Sequence, residues 1–383
     1  MKILVYSPPF SGHLNVLQKM MEENPEHDYK LAITGWDNLL IDGAMNLARS
    51  TLRETAPALW TFPRVNELMD DSLDVAREYK PDLIVYDFFS LEGYFTGKLL
   101  GIPHWCSIPA MMGPNDKRTY LEEKLGQQRN VDALATLRDK YGIGGIDTSR
   151  VEIISDGLHL PGQVNLIWSY PELTLANFMQ GRQEAEYQFL GNYNQRIERE
   201  KEIVYFSLGT VVMDNLWNQQ EETRTAVREY IAGIAERLKD EKVVFVTQGK
   251  KVLDSYPASW RIEDRVNQVE MLARSKVFIT HGGSNGYHEA VLQKVSMVVV
   301  PFFGDQILVG QRIAELGIGI NLGRDDSVDT KKSKSFLNLE LAARTVKAVK
   351  DVLSNPVYQR TLDELELSSS VSLADLIQRY FSL

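Results

Sequence analysis

The sequence contains a single cysteine, Cys106, among its 383 residues. An intrachain disulfide and a cysteine-based metal site are therefore excluded, and we expect a reducing, cytoplasmic location. Basic residues are not in excess either, because 42 Lys and Arg stand against 52 Asp and Glu, a formal net charge of −10. Nucleic acids and anionic membranes are bound through positive surface charge, so neither is an expected partner.

Long hydrophobic runs are also missing. No stretch reaches the roughly 18 consecutive apolar residues of a transmembrane helix. Pro8 and Pro9 interrupt the apolar start of the chain before it is long enough for the core of a signal peptide. We therefore predict no transmembrane anchor. With 44% hydrophobic and 25% charged residues, the composition is that of an ordinary globular protein, and the length favours two domains.

Short runs rich in Val, Ile and Leu recur along the chain, and each is followed by Gly, Pro or polar residues and then by a helical stretch. Near-continuous apolar runs indicate strands buried on both faces, and the helices between them indicate parallel βαβ units. The clearest runs are 3–6, 30–34, 82–86, 204–207, 243–247, 277–280 and 297–300. A charged stretch at 193–202 separates them into two clusters. We predict an α/β protein with two doubly wound halves and a ligand cleft between the carboxyl ends of their sheets.

The strongest local signal is VFITHGGSNGYHEA at residues 277–290. The pattern predicts a buried strand that ends at His281, a tight turn through two glycines, and a helix capped by Ser284 or Asn285. A helix N-terminus with free backbone N–H groups is a ready anion site. A capped strand-to-helix turn explains the glycines without a ligand. It does not explain His281, which would lie beside an anion bound there. His288 is expected on the surface of that helix.

An ordered series of motifs around this turn resembles the donor-binding signature of the family 1 glycosyltransferases. These enzymes have the GT-B fold, in which two Rossmann-like domains face a central cleft. The matching pieces are VNQVEML at 266–272, FITHGGSN at 278–285, Glu289, the segment 301–306 that ends in Gly304-Asp305-Gln306, and RIAELGIG at 312–319. Their spacing is closest to that of the bacterial macrolide-type members.

The resemblance implies contacts for the nucleotide sugar. Gln268 and Glu289 would contact the ribose hydroxyls. Asp305 and Gln306 would exchange hydrogen bonds with the sugar hydroxyls, which suits a carboxylate and an amide facing a polyol. Because this pair resembles that of glucose-using members, UDP-glucose is the first expected donor and a dTDP-deoxysugar the second. Arg265 stands where plant members stack an aromatic residue on uracil, so the base stays open.

The resemblance also implies a diphosphate site that needs no metal ion. His281, Ser284 and Asn285 would hold the phosphates and stabilise the charge that develops on the departing nucleotide diphosphate. No cofactor is implied beyond the nucleotide sugar, which is a co-substrate. The other donor-binding residues that the signature implies are Ser207, Gly209 and Thr210 in the loop after the first strand of this half, together with Val266, Gly283 and Gly286.

The same family has a catalytic histidine in the loop after the first strand, often preceded by Gly, and Gly12-His13 matches it. Its partner is an aspartate that ends a later strand, as Asp87 does in PDLIVYDFF at 81–89. The carboxyl ends of parallel strands in one sheet lie close together, so His13 and Asp87 can meet. Neutral His13 would take a proton from an acceptor hydroxyl while Asp87 orients the imidazole, and attack opposite the leaving group would invert the anomeric centre. The alternative is that His13 only caps a helix.

An apolar acceptor pocket is predicted from aromatic and Met residues in or near loops at the edge of the first sheet. Core packing explains some of these residues equally well. They are Phe10, Phe88, Phe89, Trp105, Met111 and Met112.

Together these patterns predict an inverting, metal-independent enzyme that transfers a hexose from a nucleotide diphosphate sugar to a hydroxyl of a small, mostly apolar acceptor. The predicted domains are an acceptor-binding domain at 1–195, a nucleotide-sugar-binding domain at 196–365 and a C-terminal helix at 366–383 that packs back on the first domain. A monomer and a homodimer are both compatible with the sequence. The alternatives are a sugar-nucleotide epimerase of the same fold and a non-catalytic sugar-nucleotide-binding accessory protein. The epimerase would not need His13 or the pair Asp305 and Gln306, and the accessory protein would not need His13 and Asp87.

Overall fold

A computed structural model describes residues 1–33, 45–46, 62–115, 118–147, 150–154, 157–183, 186–218, 220–323, 337–368 and 370–381. The chain divides into two compact units. The first consists of Met1–Tyr193 and Ser368–Leu383, and the second of Asn194–Leu367. In the described ranges, no helix is both long enough and apolar enough to cross a membrane.

The first unit is built on a parallel sheet. Its strands within the described ranges are β1 Lys2–Ser7, β2 Asp28–Ile33, β3 Met45–Asn46, β4 Leu83–Asp87, β5 His104–Ile108, β6 Glu152–Ile154, β7 Gly157–His159, β8 Asn165–Ile167 and β9 Tyr187–Phe189. β6 and β7 form a separate antiparallel hairpin. The others pair in parallel in the order β3-β2-β1-β4-β5-β8-β9.

Helices cover both faces of this sheet because its central strands are apolar on both sides. Leu4 and Tyr6 of β1 enter one core, and Ile3 and Val5 enter the other. The helices are α1 Ser11–Glu23, α2 Phe62–Tyr79, α3 Leu91–Leu100, α4 Arg118–Leu125, α5 Gln128–Tyr141 and, from the end of the chain, α13 Leu373–Phe381. α13 buries Leu373, Leu376 and Ile377 in the core that contains Ile3 and Val5.

The second unit has a parallel sheet of its own. Its strands are β10 Ile203–Ser207, β11 Val243–Val246, β12 Trp260–Glu263, β13 Ser275–Thr280, β14 Ser296–Val299 and β15 Gly319–Asn321. They pair in the order β12-β11-β10-β13-β14-β15. Its helices are α6 Thr210–Trp217, α7 Glu221–Arg237, α8 Gln268–Ala273, α9 Ser284–Leu292, α10 Asp305–Glu315, α11 Leu339–Ser354 and α12 Pro356–Glu364.

Both sheets reverse their winding direction next to their first strand. In the first unit this point lies between β1 and β4, and in the second between β10 and β13. The carboxyl ends of the two strands at such a reversal flank the crevice in which doubly wound proteins bind ligands. The predicted class of two doubly wound α/β halves is therefore confirmed, and each half has one expected ligand position.

The close packing of α3 onto the first sheet depends on Gly93. A Cβ at this position would lie 2.6 Å from Tyr86 Cβ and 3.0 Å from the ring of Tyr6, and both tyrosines are buried. Helix propensity favours Ala by up to about 1 kcal/mol, but forcing a methyl group into a packed core costs more. We expect Gly93→Ala to lower the free energy of unfolding by about 1–2 kcal/mol net.

Urea unfolding of Gly93→Ala and of a control variant, Gly144→Ala, measures this difference in the free energy of unfolding. Gly144→Ala is the matched control, because among the described residues no atom outside Gly144 and its two chain neighbours lies within 4 Å of the added Cβ. Equal stability of the Gly93 and Gly144 variants would show that α3 has room to move away from the sheet.

Candidate active site

His13 and Asp87 meet at the reversal point of the first sheet. His13 is the third residue of α1, which begins shortly after β1, and Asp87 is the last residue of β4. The imidazole Nδ1 lies 2.9 Å from Asp87 Oδ2. The helix is preceded by Phe10 as its N-cap, so His13 lies inside α1 and does not cap it.

Asp87 is fully buried and accepts two hydrogen bonds. Its Oδ1 accepts from the backbone N–H of Phe89 at 2.9 Å, and its Oδ2 faces His13. A carboxylate can only accept a hydrogen bond, so the proton of a neutral imidazole is on Nδ1. The lone pair is then on Nε2. The side chain of His13 is 17% exposed, against 0% for Asp87. The imidazole of His13 is therefore oriented by Asp87, the buried last residue of β4.

Three of the predicted acceptor residues surround this imidazole. Phe88 and Phe89 stack on it, with ring centroids 5.4 Å and 4.9 Å away. Phe10 contacts it edge-on at 5.7 Å. These rings hold the imidazole plane in place and give it apolar surroundings.

The other three predicted acceptor residues differ from one another. Trp105 is fully buried in the core on the α13 side of the sheet, where its ring contacts Tyr380 and Phe381. Side chains of a strand alternate between faces, so Trp105 points away from the core that contains Phe88, and its prediction as a pocket residue is wrong. Met111 and Met112 are buried, and Met112 packs in the same core as Phe88 and Phe89. Their contact with an acceptor stays a prediction.

In the second unit, three helices begin directly after three neighbouring strands. α6 follows β10, α9 follows β13 and α10 follows β14. Their N-caps are Gly209, Gly283 and Gly304, which have no side chain to cover the first N–H groups. The predicted cap of α9 by Ser284 or Asn285 is wrong, because both residues lie within the helix. Three helix N-termini with glycine N-caps at one sheet edge favour an anion there.

His281 lies between two of these glycines. A Cβ on Gly209 would be 2.4 Å from His281 Cε1, and one on Gly283 would be 2.6 Å from Nε2. Among the described residues, Nδ1 has no hydrogen-bond partner. Burial lowers the pKa of His281 to about 4, so the ring is neutral near pH 7 and can act there as a hydrogen-bond donor rather than a cation. The glycines thus let two backbones approach one imidazole, a second reason for them besides the turn.

The predicted ribose residues are in contact. Gln268, the first residue of α8, donates its Nε2 to Glu289 Oε2 at 2.6 Å. Two residues that the sequence did not indicate join them: Tyr205 Oη donates to Gln268 Oε1 at 3.3 Å, and Asn194 Nδ2 donates to Glu289 Oε1 at 3.4 Å. Tyr205 lies two residues before Ser207 of the family motif, whereas nothing in the charged stretch around Asn194 indicated a site.

The predicted sugar residues occupy the start of α10. Asp305 Oδ2 accepts from Ser284 Oγ at 2.8 Å, so this serine, predicted for the diphosphate, contacts one of the two predicted sugar residues. Gln306 is buried, and its Oε1 accepts from the backbone N–H groups of Phe302 and Phe303 at 3.0 and 3.3 Å. The side-chain amide oxygen of Gln306 thus holds the loop before α10. Both hydrogen bonds use this oxygen and neither uses the side-chain Nε2 group.

The remaining predicted residues line the same edge. Ser207 Oγ accepts from the backbone N–H of Gly209, and Thr210 Oγ1 donates to Gln248, both at 3.3 Å. Val266 is half-buried ahead of α8. Asn285 and Gly286 lie in the first turn of α9. Across the described ranges, no group of three or more His, Cys, Asp and Glu residues is placed to hold a metal ion.

One histidine prediction fails. His288 was expected on the surface of α9, but it is buried, and burial lowers its pKa to about 4. α9 also buries Ser284, Gly286, Tyr287, Ala290 and Val291. A short helix that is packed on several sides has no wide solvent face. Its sequence therefore lacks the separate apolar and polar faces of a surface helix.

Comparison with known proteins agrees with this architecture. The profile of the family described as UDP-glucoronosyl and UDP-glucosyl transferase matches residues 160–369, more than half of the chain. The chain is 24% identical over 404 aligned residues to the NDP-glycosyltransferase YjiC of Bacillus subtilis (strain 168), with 94% of this chain and 95% of that protein covered.

Two solved structures show the same fold. The glycotransferase of kitacinnamycin superposes with a TM-score of 0.69 at 20% identity, covering 94% of this chain and 92% of that one. Glycosyltransferase VinC, solved in complex with dTDP, superposes with a TM-score of 0.66 at 16% identity, covering 95% and 94%. The chain therefore belongs to the UDP-glucoronosyl and UDP-glucosyl transferase family, and it is a GT-B-fold glycosyltransferase with a nucleotide-sugar donor.

Proposed function

We propose that this glycosyltransferase inverts the anomeric centre, needs no metal ion, and transfers a hexose to a hydroxyl group of a small, mostly apolar acceptor. UDP-glucose is the first candidate donor and a dTDP-sugar the second. The observation that carries the proposal is the 2.9 Å contact between His13 Nδ1 and the buried carboxylate of Asp87. An epimerase or an accessory binding protein would have no use for this pair.

The base step follows from that contact. The acceptor hydroxyl gives its proton to His13 Nε2, and its oxygen forms a bond to the anomeric carbon on the face opposite the leaving group. The bond from that carbon to the phosphate oxygen breaks, and its electron pair stays on the diphosphate. Asp87 stabilises the imidazolium that results, as in the second half of a Ser-His-Asp triad.

Stabilisation of the leaving group is assigned to the second unit. The N-termini of α6, α9 and α10, whose N-caps are glycines, and the neutral ring of His281 are assigned as hydrogen-bond donors to the diphosphate. Gln268 and Glu289 bind the ribose, while Asp305 and Gln306 bind the sugar. No step in this scheme needs a cation.

An apolar acceptor suits the surroundings of the base. Phe10, Phe88 and Phe89 enclose the imidazole. The chain has a net charge of −10, which does not favour an anionic acceptor.

The first prediction concerns the base and its partner. His13→Ala removes the proton acceptor. In Asp87→Asn, Oδ1 keeps the Phe89 N–H, so the new amide donates to His13 Nδ1 and the proton moves to Nε2. Each variant should lose at least about 100-fold in transfer rate, and the double variant should lose little more than the worse single variant. Initial rates and calorimetric titration with UDP measure the two effects.

The matched control for these variants is Asn15→Ala, an exposed residue of the same helix. Its transfer rate should equal that of the wild type, and all variants should bind UDP within about twofold. Wild-type transfer by His13→Ala would remove His13 from the mechanism.

A second prediction concerns metal ions. Because the diphosphate is assigned to backbone N–H groups and His281, dialysis against EDTA should leave the turnover number within about twofold of its original value. Turnover is measured with and without added Mg²⁺ or Mn²⁺. Complete loss of activity that either ion restores would show that the leaving-group stabiliser has been misidentified.

A third prediction separates the sugar from the diphosphate. Asp305→Ala removes a hydrogen bond to the sugar and should cost on the order of 1–3 kcal/mol in kcat/KM, with UDP affinity nearly unchanged. His281→Ala should weaken UDP by roughly tenfold, which is about 1.4 kcal/mol. Asp240→Ala, at an exposed position, is the control. Equal losses of UDP affinity in the Asp305 and His281 variants would refute the placement of the sugar against Asp305.

A further inference from the structure

The carboxylate of Glu289 is held from two sides by two different side-chain amides. Gln268 Nε2 donates to Oε2 at 2.6 Å, and Asn194 Nδ2 donates to Oε1 at 3.4 Å. Gln268 belongs to the donor signature, whereas Asn194 is the first residue of the second unit and precedes that signature by about seventy residues. Asn194 therefore contacts Glu289 from a segment of the chain that lies outside the donor signature.

Asn194 does not reach Glu289 from a loose segment. Gln293 Nε2 donates to the carbonyl of Gln195 at 2.7 Å, and the backbone N–H of Ile197 donates to Gln293 Oε1 at 2.8 Å. Gln293 is the C-cap residue of α9 and follows Glu289 by four residues. A spacing of about one helical turn places the two residues on the same side of the helix. Arg199 pairs with Glu270 of α8 at 2.8 Å. The segment is thus fastened to the two helices that supply Gln268 and Glu289.

Two anchors restrict a carboxylate more than one does. Gln268 is itself fixed, because Tyr205 Oη donates to its Oε1 at 3.3 Å. With Oε2 held by Gln268 alone, the carboxylate of Glu289 can still turn about its last side-chain bond. A second donor on Oε1 fixes its plane. Each oxygen of an ionised carboxylate can accept more than one hydrogen bond, and a carboxylate whose plane is fixed meets a ligand hydroxyl in a defined direction.

We propose that Asn194 is a positioning residue of the donor site: it fixes the plane of the Glu289 carboxylate so that both hydroxyls of a ribose cis-diol bind together. The site then prefers ribonucleoside diphosphates to their 2′-deoxy counterparts, which favours UDP over dTDP as the donor nucleotide. This inference rests on the proposed contact of Glu289 with the ribose.

Calorimetric titration with UDP and with 2′-deoxyuridine 5′-diphosphate tests it, because the two ligands differ only in the 2′-hydroxyl. The wild type should prefer UDP by about tenfold. Asn194→Ala should weaken UDP by about five- to tenfold and the deoxy ligand by less than twofold, so that the preference nearly disappears. Asn194→Leu keeps much of the side-chain shape without the donor and without added charge, and it should lose the preference as well.

Gln195→Ala is the matched control, since only the backbone carbonyl of this exposed residue is used, and it should retain the wild-type preference. Parallel loss of both ligands in the Asn194 variants would show a merely structural role and overturn the inference, as would an unchanged preference. Failure of the wild type to bind either ligand would instead overturn the proposed function itself.

Discussion

The parallel pairing of the first and fourth strands of each sheet is the constraint on which both candidate sites depend. In the first unit Tyr6 of β1 pairs with Tyr86 of β4, so the chain leaves β1 beside Asp87. In the second, Ser207 of β10 pairs with Thr280 of β13, so Gly209 and His281 emerge side by side. The sheets reverse their winding at these pairs, and the crevice formed there is open to a ligand because no crossover helix covers it.

Charge and burial then decide what each crevice can do. The protein as a whole carries a net charge of −10, which opposes the binding of a diphosphate. In the second crevice, three helix N-termini with glycine N-caps and His281, a neutral hydrogen-bond donor, are the groups that we propose offset this charge locally. In the first crevice α1 and α3 also begin after β1 and β4, but there an imidazole lies against a buried carboxylate among aromatic rings. The proposed division between base and leaving-group stabiliser rests on this difference in surroundings.

Much of the fold was predictable because its strands are nearly continuous apolar runs. The runs at 3–6, 82–86, 204–207 and 277–280 all became strands of the two sheets. The short strands β12 and β15 escaped prediction because each has only three or four residues with mixed polarity, and pairing with a neighbour decides their state. The N-terminus of α9 was predicted to within a residue or two, but its cap was not, since glycine at the N-cap gives no polar signal.

By itself the sequence determined the α/β class and the positions of the main strands, and it indicated candidate site residues: Asp87 and His281 at the ends of strands, and His13 and Glu289 in the helices that follow strands. These follow from local patterns and from a motif series that is continuous in the chain. Only the tertiary structure decided the burial of Trp105 and His288, the enclosure of His281 by Gly209 and Gly283, and the contact of Asn194 with Glu289. Such features depend on which residues distant in the chain are brought together by packing, and no local pattern carries that information.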